Sequence, residues 1–599
     1  MEGRKIKKFV LAALNAKYIH SNPAVYSLKA NAGEHASHVK ICEYTINHTK
    51  EEILAALYGE EPDIIGFSCY LWNIEYILAI AEDLKKIRPG LIITAGGPEV
   101  SYRPEEFLRT YRFFDVIMVG EGEKTFSELL SYYFGDRGPE SGGIKPPDSL
   151  AQIRGLVYRE GEQIIRTPSR EGLVMDELAF LYKDLSGMEN RIIYYESMRG
   201  CPFSCSYCLS SIEKSVRCKS LGKTLPEIDF FLQAEVRQVK FVDRTFNCIH
   251  EHAYAIWKHI KEHDNGITNF HFEIAGDLLQ EEDFCLFDGM RPGLMQFEIG
   301  VQSTNPDTIR AIGRTMDIEC LARNIIKLRK SRNIHVHLDL IAGLPYEDYA
   351  SFKNSFCDVY RMKPEQLQLG FLKVLYGSGM KEAGEKYGLI ASSCPPYEVY
   401  ATNWLSYREV RKLKQVEEMI EVYYNSAQFT ASIAYLLRCF ETPFDLYYCL
   451  GQYYKEQHLS ERKHSRLSRY EILWDFAMGT VGIQEEWFRD ALTYDLYSRE
   501  YVKSPPGFVQ QRTKQEKEEI RKYFDCVRET GELPEGYEGY TTTQLQHMLY
   551  VHKFHINIEI LKETGNIAEE DYRLLFDYRC RNPLDYSAKI SRIGRQYFL

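Results

Sequence analysis

Three cysteines in the run Arg199-Gly200-Cys201-Pro202-Phe203-Ser204-Cys205-Ser206-Tyr207-Cys208 are spaced C-x3-C-x2-C. Thiolates in so short a loop can hold three irons of a [4Fe–4S] cluster, whose full ligation takes four. The remaining iron would be open to a small molecule, as catalytic metal centres keep one position open. Two other readings stand beside this one: a zinc site, or cysteines buried as small apolar side chains. Zinc sites carry a second Cys or His pair at matching spacing, and none follows here.

A cluster loop must be held by a scaffold, and residues 191–400 read as one. Ile192–Glu196 is a short apolar run, followed by strand candidates at Val239–Asp243, Phe270–Ala275, Gln296–Val301, His335–Ile341 and Gln366–Val374. Helical segments such as Leu321, Ile325, Ile326 and Leu328 separate most of them. Six βα units predict a partial (β/α)6 TIM-like barrel, with its reactive site at the carboxyl ends of the strands. Polar residues fall at or just after those ends: Asp243, Arg244, Thr245, Glu273, Gln302, Ser303 and Asp339, with Arg314 in a loop. Singly, each has a structural explanation. Asp243 would cap a helix, Glu273 and Asp339 would sit in salt bridges, and Arg314 would be solvated.

Upstream, residues 1–135 alternate strands and helices. Strand candidates are Phe9–Ala13, Val39–Tyr44, Asp63–Cys69, Leu91–Gly97 and Asp115–Gly120. Ile74, Ile77, Leu78, Ala81, Leu84 and Ile87 form an apolar stripe that stops before Pro89. This pattern predicts a doubly wound parallel sheet that binds ligands beyond the carboxyl ends of its strands. Small residues sit there: Gly66 and Ser68, Gly96-Gly97-Pro98-Glu99, and Gly120-Glu121-Gly122-Glu123. Glycines let backbone approach a bulky ligand, and tight strand-to-helix turns need them as well. Residues 136–190 read as a linker with a hairpin turning at Gly161.

In combination these features resemble cobalamin-dependent radical SAM enzymes. The Gly-Phe-Ser-Cys, Ala-Gly-Gly-Pro-Glu and Gly-Glu-Gly-Glu strand ends, placed before the cysteine loop, are similar to a cobalamin-binding Rossmann-like domain. The resemblance implies that Ser68, Gly96, Gly97, Pro98, Glu99, Gly120, Glu121 and Gly122 line the cobalamin site. No Asp-x-His-x-x-Gly motif is present, so it implies base-off cobalamin without a histidine ligand. His20 and Asn22 are counted as corrin neighbours only. The barrel resembles the radical SAM superfamily, especially the branch with oxygen-independent coproporphyrinogen oxidase. That implies a [4Fe–4S] cluster on Cys201, Cys205 and Cys208 and S-adenosyl-L-methionine (SAM) on its open iron. By the same resemblance, Asp243, Arg244 and Thr245 occupy the place of a glycine-rich motif without its glycines. Glu273 binds the SAM amino group, Gln302 and Asp339 the ribose hydroxyls, Arg314 the carboxylate, and Tyr207 and Gly343 lie near adenine.

Composition adds bounds rather than identity. The chain has 599 residues, 44% hydrophobic and 27% charged, which suits several globular domains. A net charge of -11 argues against bulk nucleic-acid binding. No apolar run is long enough to span a bilayer, and the basic, then apolar start reads as a first strand rather than a secretory signal. The 15 cysteines are therefore expected in a reducing cytoplasm, with Cys42, Cys69, Cys218 and Cys248 as small buried side chains. Residues 401–599 read as helical, with stripes at Val416, Met419, Ile420 and Tyr423 and at Ala434–Phe440, broken by Pro443, Pro505-Pro506 and Pro534. They resemble an uncharacterised C-terminal family attached to such enzymes and are expected to cap the barrel mouth. Arg438, Tyr447, Tyr448, Trp474 and Trp487 would line a pocket or, more in keeping with helical spacing, form core.

The expected function is radical methylation: one SAM methylates cobalamin, and a second yields a 5′-deoxyadenosyl radical. The alternatives are cyclisation, rearrangement or oxidation with the same cofactors, or a non-catalytic iron–sulfur redox sensor. Expected partners are a small-molecule or peptide substrate and a reducing protein such as flavodoxin or ferredoxin, with no membrane and no nucleic acid.

Overall fold

The computed structural model describes residues 8–135, 146–533 and 536–598. The linker residues 136–145 and Pro534 lie outside the described residues. The first sheet contains β1 (Phe9–Asn15), β2 (Val39–Thr45), β3 (Ile64–Ser68), β4 (Ile92–Gly96), β5 (Val116–Met118), β6 (Leu156–Glu160) and β7 (Gln163–Arg166). Its order is 2-1-3-4-5-6-7. The first five strands are parallel, and β6 adds antiparallel to β5, pairing Val116 with Tyr158. The hairpin read as linker is therefore the edge of this sheet. Its inner strand is apolar because it is buried: Leu156, Val157 and Tyr158 are core residues.

Strand alternation splits the core in two. Val10, Ala12, Ile65 and Ile93 pack on one face with helix Ile74–Ile87, and Phe9, Leu11, Ile64 and Val116 on the other with Phe126 and Leu129. In the helix the buried stripe is Ile74, Ile77, Ile80, Ala81 and Leu84. Leu78 is only half-buried, and Ile87 is exposed where the helix ends. Each fully buried Ile or Leu contributes about 1.5–3 kcal/mol, which holds this helix to the sheet. Strand order reverses between β1 and β3, so the loops after them diverge and leave a crevice at the carboxyl ends.

The second sheet is β8 (Ile193–Tyr195), β9 (Gln238–Phe241), β10 (Asn269–Ile274), β11 (Met295–Gln302), β12 (His335–Ala342) and β13 (Gln366–Phe371), in that spatial order and all parallel. This is the expected partial barrel. Phe297, Ile299 and Val301 of β11 point into the helix-covered core, while Glu298 faces the interior. There it meets Lys240 at 2.9 Å and His271 at 3.0 Å. The open edge at β13 is covered: Asn425 accepts from Leu367 N and donates to Leu367 O, both at 2.9 Å.

The C-terminal region is mostly helical, as expected, but ends in a three-stranded antiparallel sheet of Leu549–Ile556, Glu569–Arg581 and Ala588–Ile593. Val416, Met419, Ile420 and Tyr423 are all buried. The barrel and this region share one continuous hydrophobic core. Contacts such as Lys353–Asp445 at 2.7 Å and Tyr360–Tyr447 at 3.2 Å join them on the outer side of the barrel. No helix among the described residues is long and apolar enough to cross a membrane.

Candidate functional site at the junction of sheet and barrel

The cysteine loop is clamped from three sides through its backbone. Cys201 N donates to Glu213 O (3.0 Å), Ser206 N to Ile312 O (2.8 Å), and Met380 N to Ser206 O (2.7 Å). Gly200 turns the chain at φ +93°, where a Cβ would sit 2.2 Å from Ser215 O, so only glycine fits. Cys201 and Cys205 are buried and Cys208 half-buried, and none is in a disulfide. Arg314 Nη1 lies 3.8 Å from Cys205 Sγ, and Thr245 Oγ1 lies 3.8 Å from Cys201 Sγ. Burial pushes the Cys205 thiol up, and the Arg314 guanidinium opposes that shift.

The barrel-end residues converge beside this loop. Arg314 Nη2 donates to Gly300 O. Gln302 is buried, in a left-handed conformation at φ +71°. Asp339 Oδ1 lies 3.0 Å from His337 Nε2, off the axis of a hydrogen bond. Burial pushes the Asp339 carboxyl up. Burial disfavours a charged His337, but Asp339 outweighs it and raises the imidazole. Gln302 Oε1, Arg314 Nε and Asp339 Oδ1 are all buried without a hydrogen-bond partner. A buried unpaired polar atom costs about 1–3 kcal/mol. Three of them at the barrel's strand ends, with Arg314 beside Cys205, fit a site built for a polar ligand, and the residues present suit SAM at a three-thiolate cluster. Glu273 pairs instead with Arg244 (3.0 Å). Tyr207 packs with Ile312, Leu344 and Val374, and Gly343 against Val399.

Asp243 departs from its expected place. It is fully buried, and both carboxylate oxygens accept from Ser197, at 3.0 and 3.2 Å from N, with a further bond of 2.8 Å from Oγ. It braces the segment leading from β8 into the cysteine loop. Burial pushes its carboxyl up to about 7, against the bonds from Ser197. Between about pH 4 and 7 the native state thus keeps a proton that the unfolded chain has lost, so this group's contribution falls as pH rises. Asp243→Asn lacks that titration. Its stability relative to wild type should improve by up to about 4 kcal/mol from pH 4 to pH 7, read by urea denaturation across that range. An unchanged difference would contradict the assignment.

The crevice of the first sheet opens into a cavity of about 830 Å³ between sheet and barrel. Asn15, His20 and Asn22 from the loop after β1, Tyr70 and Trp72 after β3, and Gly120 and Gly122 after β5 form one side. Tyr194, Glu196, Arg199 and Arg244 form the other. Beside it a slot of about 200 Å³ lies between the sheet and the helix Pro23–Ala30, lined by Gly66, Ser68, Gly96, Gly97, Val25 and Met118. Gly97 stands at φ +108°, and a Cβ there would meet Cys69 O at 2.5 Å. Slot and cavity share Tyr70, Gly120 and Gly122. A narrow apolar slot beside a wide polar cavity suits a cofactor with a planar body and a narrow tail, as cobalamin has. Gly96→Leu would place a branched side chain in the slot; its Cβ finds only ordinary contacts, the nearest at 3.6 Å. It should lower retained cobalamin at least about tenfold, or about 1.4 kcal/mol, with the fold intact, read by absorbance after gel filtration.

Two glycine-motif carboxylates do other work. Glu123 pairs with Arg199 (2.5 Å), and Glu121 with Arg199 (3.4 Å) and Arg217. Glu99 accepts from Tyr397 (2.8 Å), across to the barrel side, and Pro98 opens the short helix Pro98–Ser101. These contacts join the two parts of the molecule. His20 bonds Tyr194 through Nδ1 at 2.7 Å. Sequence reasoning did not find Arg199, Ser197, His337, Glu298 or Tyr70; the one available signal was the Arg directly before Gly200. All cavity-lining residues fall within 15–244, so residues 401–599 supply none. Trp474 stacks on Phe508 and Tyr447 is core.

Fold and site define a radical SAM protein with a B12-binding domain. Residues 10–130 match the B12 binding domain family, 195–357 the Radical SAM superfamily, and 385–576 a protein family of unknown function, DUF4080. The chain is 27% identical over 350 residues to the cobalamin-dependent radical SAM methyltransferase TokK of Streptomyces tokunonensis, covering 55% of this chain and 50% of that one. It is 26% identical over 303 residues to the anaerobic magnesium-protoporphyrin IX monomethyl ester cyclase of Synechocystis, 48% of this chain and 57% of that one. The chain thus spans about half the length of these curated relatives. The fold is shared with the cobalamin-dependent SAM radical enzyme OxsB, at TM-score 0.56 and 17% identity, over 82% of this chain and 79% of OxsB.

Proposed function

We propose that the protein is a cobalamin-dependent radical SAM methyltransferase. The observation that carries this reading is the shared cavity, which runs from the glycine-lined slot to Arg199 and Gly200 at the start of the cysteine loop. Cys201, Cys205 and Cys208 would hold the cluster and leave one iron for SAM. Arg314, Glu273, Gln302 and Asp339 would orient SAM, and the slot would hold the nucleotide tail of base-off cobalamin. Bound there, SAM at the cluster supplies a hydrogen-abstracting radical, and cobalamin supplies a methyl-carrying centre. The chain's own part is to fix both cofactors against one cavity and to exclude water between them. His20, engaged by Tyr194, is not the cobalt ligand in this reading. A reducing protein such as flavodoxin or ferredoxin would deliver electrons, and the substrate would be a small molecule or peptide. Anaerobic reconstitution with iron, sulfide and cobalamin tests the reading. S-adenosylhomocysteine and 5′-deoxyadenosine should form together with a methylated product; deoxyadenosine without methyl transfer would refute it.

A second reading keeps both cofactors without methylation. It is favoured by the cyclase among the relatives. An unmethylated product altered in ring structure or oxidation level would select it.

A further inference from the structure

We propose that Arg244 recognises an anionic group, a carboxylate or phosphate, on the substrate, and becomes available for it when SAM binds. This rests on the reading above for the place of SAM. Arg244 follows β9 and reaches the cavity beside Tyr70, Glu196 and Val242, in the space between the two cofactor sites. Its side chain is 52% exposed, and its hydrogen bonds go to Glu273, at 3.0 and 3.3 Å. Glu273 is the carboxylate that a SAM ammonium would take. An ammonium on Glu273 would draw on the same two oxygens that Arg244 Nη1 engages, at 3.3 and 3.0 Å, and so would loosen the hold on Arg244.

The other cavity-wall arginines are committed elsewhere. Arg199 is held by Glu123 and Glu196, Arg217 by Glu121, and Arg170 by Glu128. Arg244 alone among these four leans on a residue of the SAM site. Once displaced, its guanidinium cannot shed its proton, so it must be solvated or find an anion. Its planar fork suits a bidentate carboxylate or phosphate. The geometry therefore couples two sites: SAM takes Glu273, Arg244 turns into the cavity, and the anionic end of the substrate is held where the radical is delivered. The two ligands therefore bind cooperatively, each tightening the other.

The test uses the full chain loaded with cluster and cobalamin and left unreduced, so that no turnover occurs. Binding of inorganic phosphate and of succinate is measured by equilibrium dialysis with and without SAM, in wild type, Arg244→Gln and Arg244→Lys. In wild type, SAM should tighten one of these anions at least about 5-fold, the lower end of typical coupling between sites; which one responds identifies the group. Arg244→Gln should abolish that coupling while binding SAM as tightly as wild type or more so. Arg244→Lys should keep part of it. Anion binding indifferent to SAM in wild type would overturn the proposal. So would a tenfold loss of SAM affinity in Arg244→Gln, which would place Arg244 on SAM itself. Wild type that binds no SAM at all fails the underlying reading instead, and shows before any anion is added.

Discussion

Replacing Cys205 with alanine should lower SAM cleavage by more than about 10³-fold, over about 4 kcal/mol of lost transition-state stabilisation. Iron should fall from about four per chain to below about one, because two thiolates cannot retain a cluster that needs three. The same variant should keep cobalamin, since Cys205 is surrounded by Arg314 and Tyr207 and the slot lies in the other sheet. Visible absorbance resolves the two cofactors in one sample. Loss of both would show that the sheet and the barrel are not separable binding units. Cys201→Ala and Cys208→Ala should behave alike, whereas Cys42→Ala, remote in the first sheet, should leave iron unchanged.

The second large effect is expected at Arg199. Its side chain is 15% exposed, it directly precedes the cysteine-loop glycine, and it bridges Glu123 of the first domain to Glu196 just after β8. Burial pushes the Glu123 carboxyl up, and Arg199 more than reverses this, holding it below the ordinary range. Removing the guanidinium strands a buried carboxylate, which costs about 3–5 kcal/mol. The pH dependence follows from the sign of the shift. A depressed carboxylate pKa gives stability that is present above about pH 4.3 and lost as pH falls through the native value. The gap between wild type and Arg199→Ala should therefore hold from pH 7 down to about pH 4.3 and narrow below it, as read by chemical denaturation. A constant gap would mean that Arg199 acts through packing alone. Because Arg199 leads directly into Gly200, the variant should also loosen cobalamin, whose cavity wall it forms. Arg199→Lys should recover part of the loss but not the multiple contacts of the fork.

Much of the scaffold was legible because its signals are local. Parallel strands buried on both faces read as apolar runs, and all eleven strand candidates of the first sheet and barrel are strands. The helix at 74–87 was legible in its limits and in most of its buried face, Ile74, Ile77, Ala81 and Leu84, but not in Ile80. Helical periodicity does not say which of Leu78 and Ile80 turns inward; the sheet beneath decides that. The hairpin at 156–166 was legible as a hairpin, but its membership of the sheet depends on pairing with β5, some 40 residues away. The terminal three-stranded sheet went unread because its strands are half polar and lie among helical segments.

The site divides in the same way. The sequence alone picked out the C-x3-C-x2-C spacing of Cys201, Cys205 and Cys208, the glycines at the strand ends and the polar residues at the barrel ends. Each follows from residue type and spacing, which chemistry restricts tightly. Only the tertiary structure decided how these residues are used. It turned Asp243 inward onto Ser197, gave Glu121 and Glu123 to arginines across the domain junction, set Arg244 against Glu273, and joined slot and cavity into one space. Those outcomes depend on which charges meet when two separately legible domains pack. Charges far apart in the chain carry no local pattern, so their pairing is a property of the docked fold.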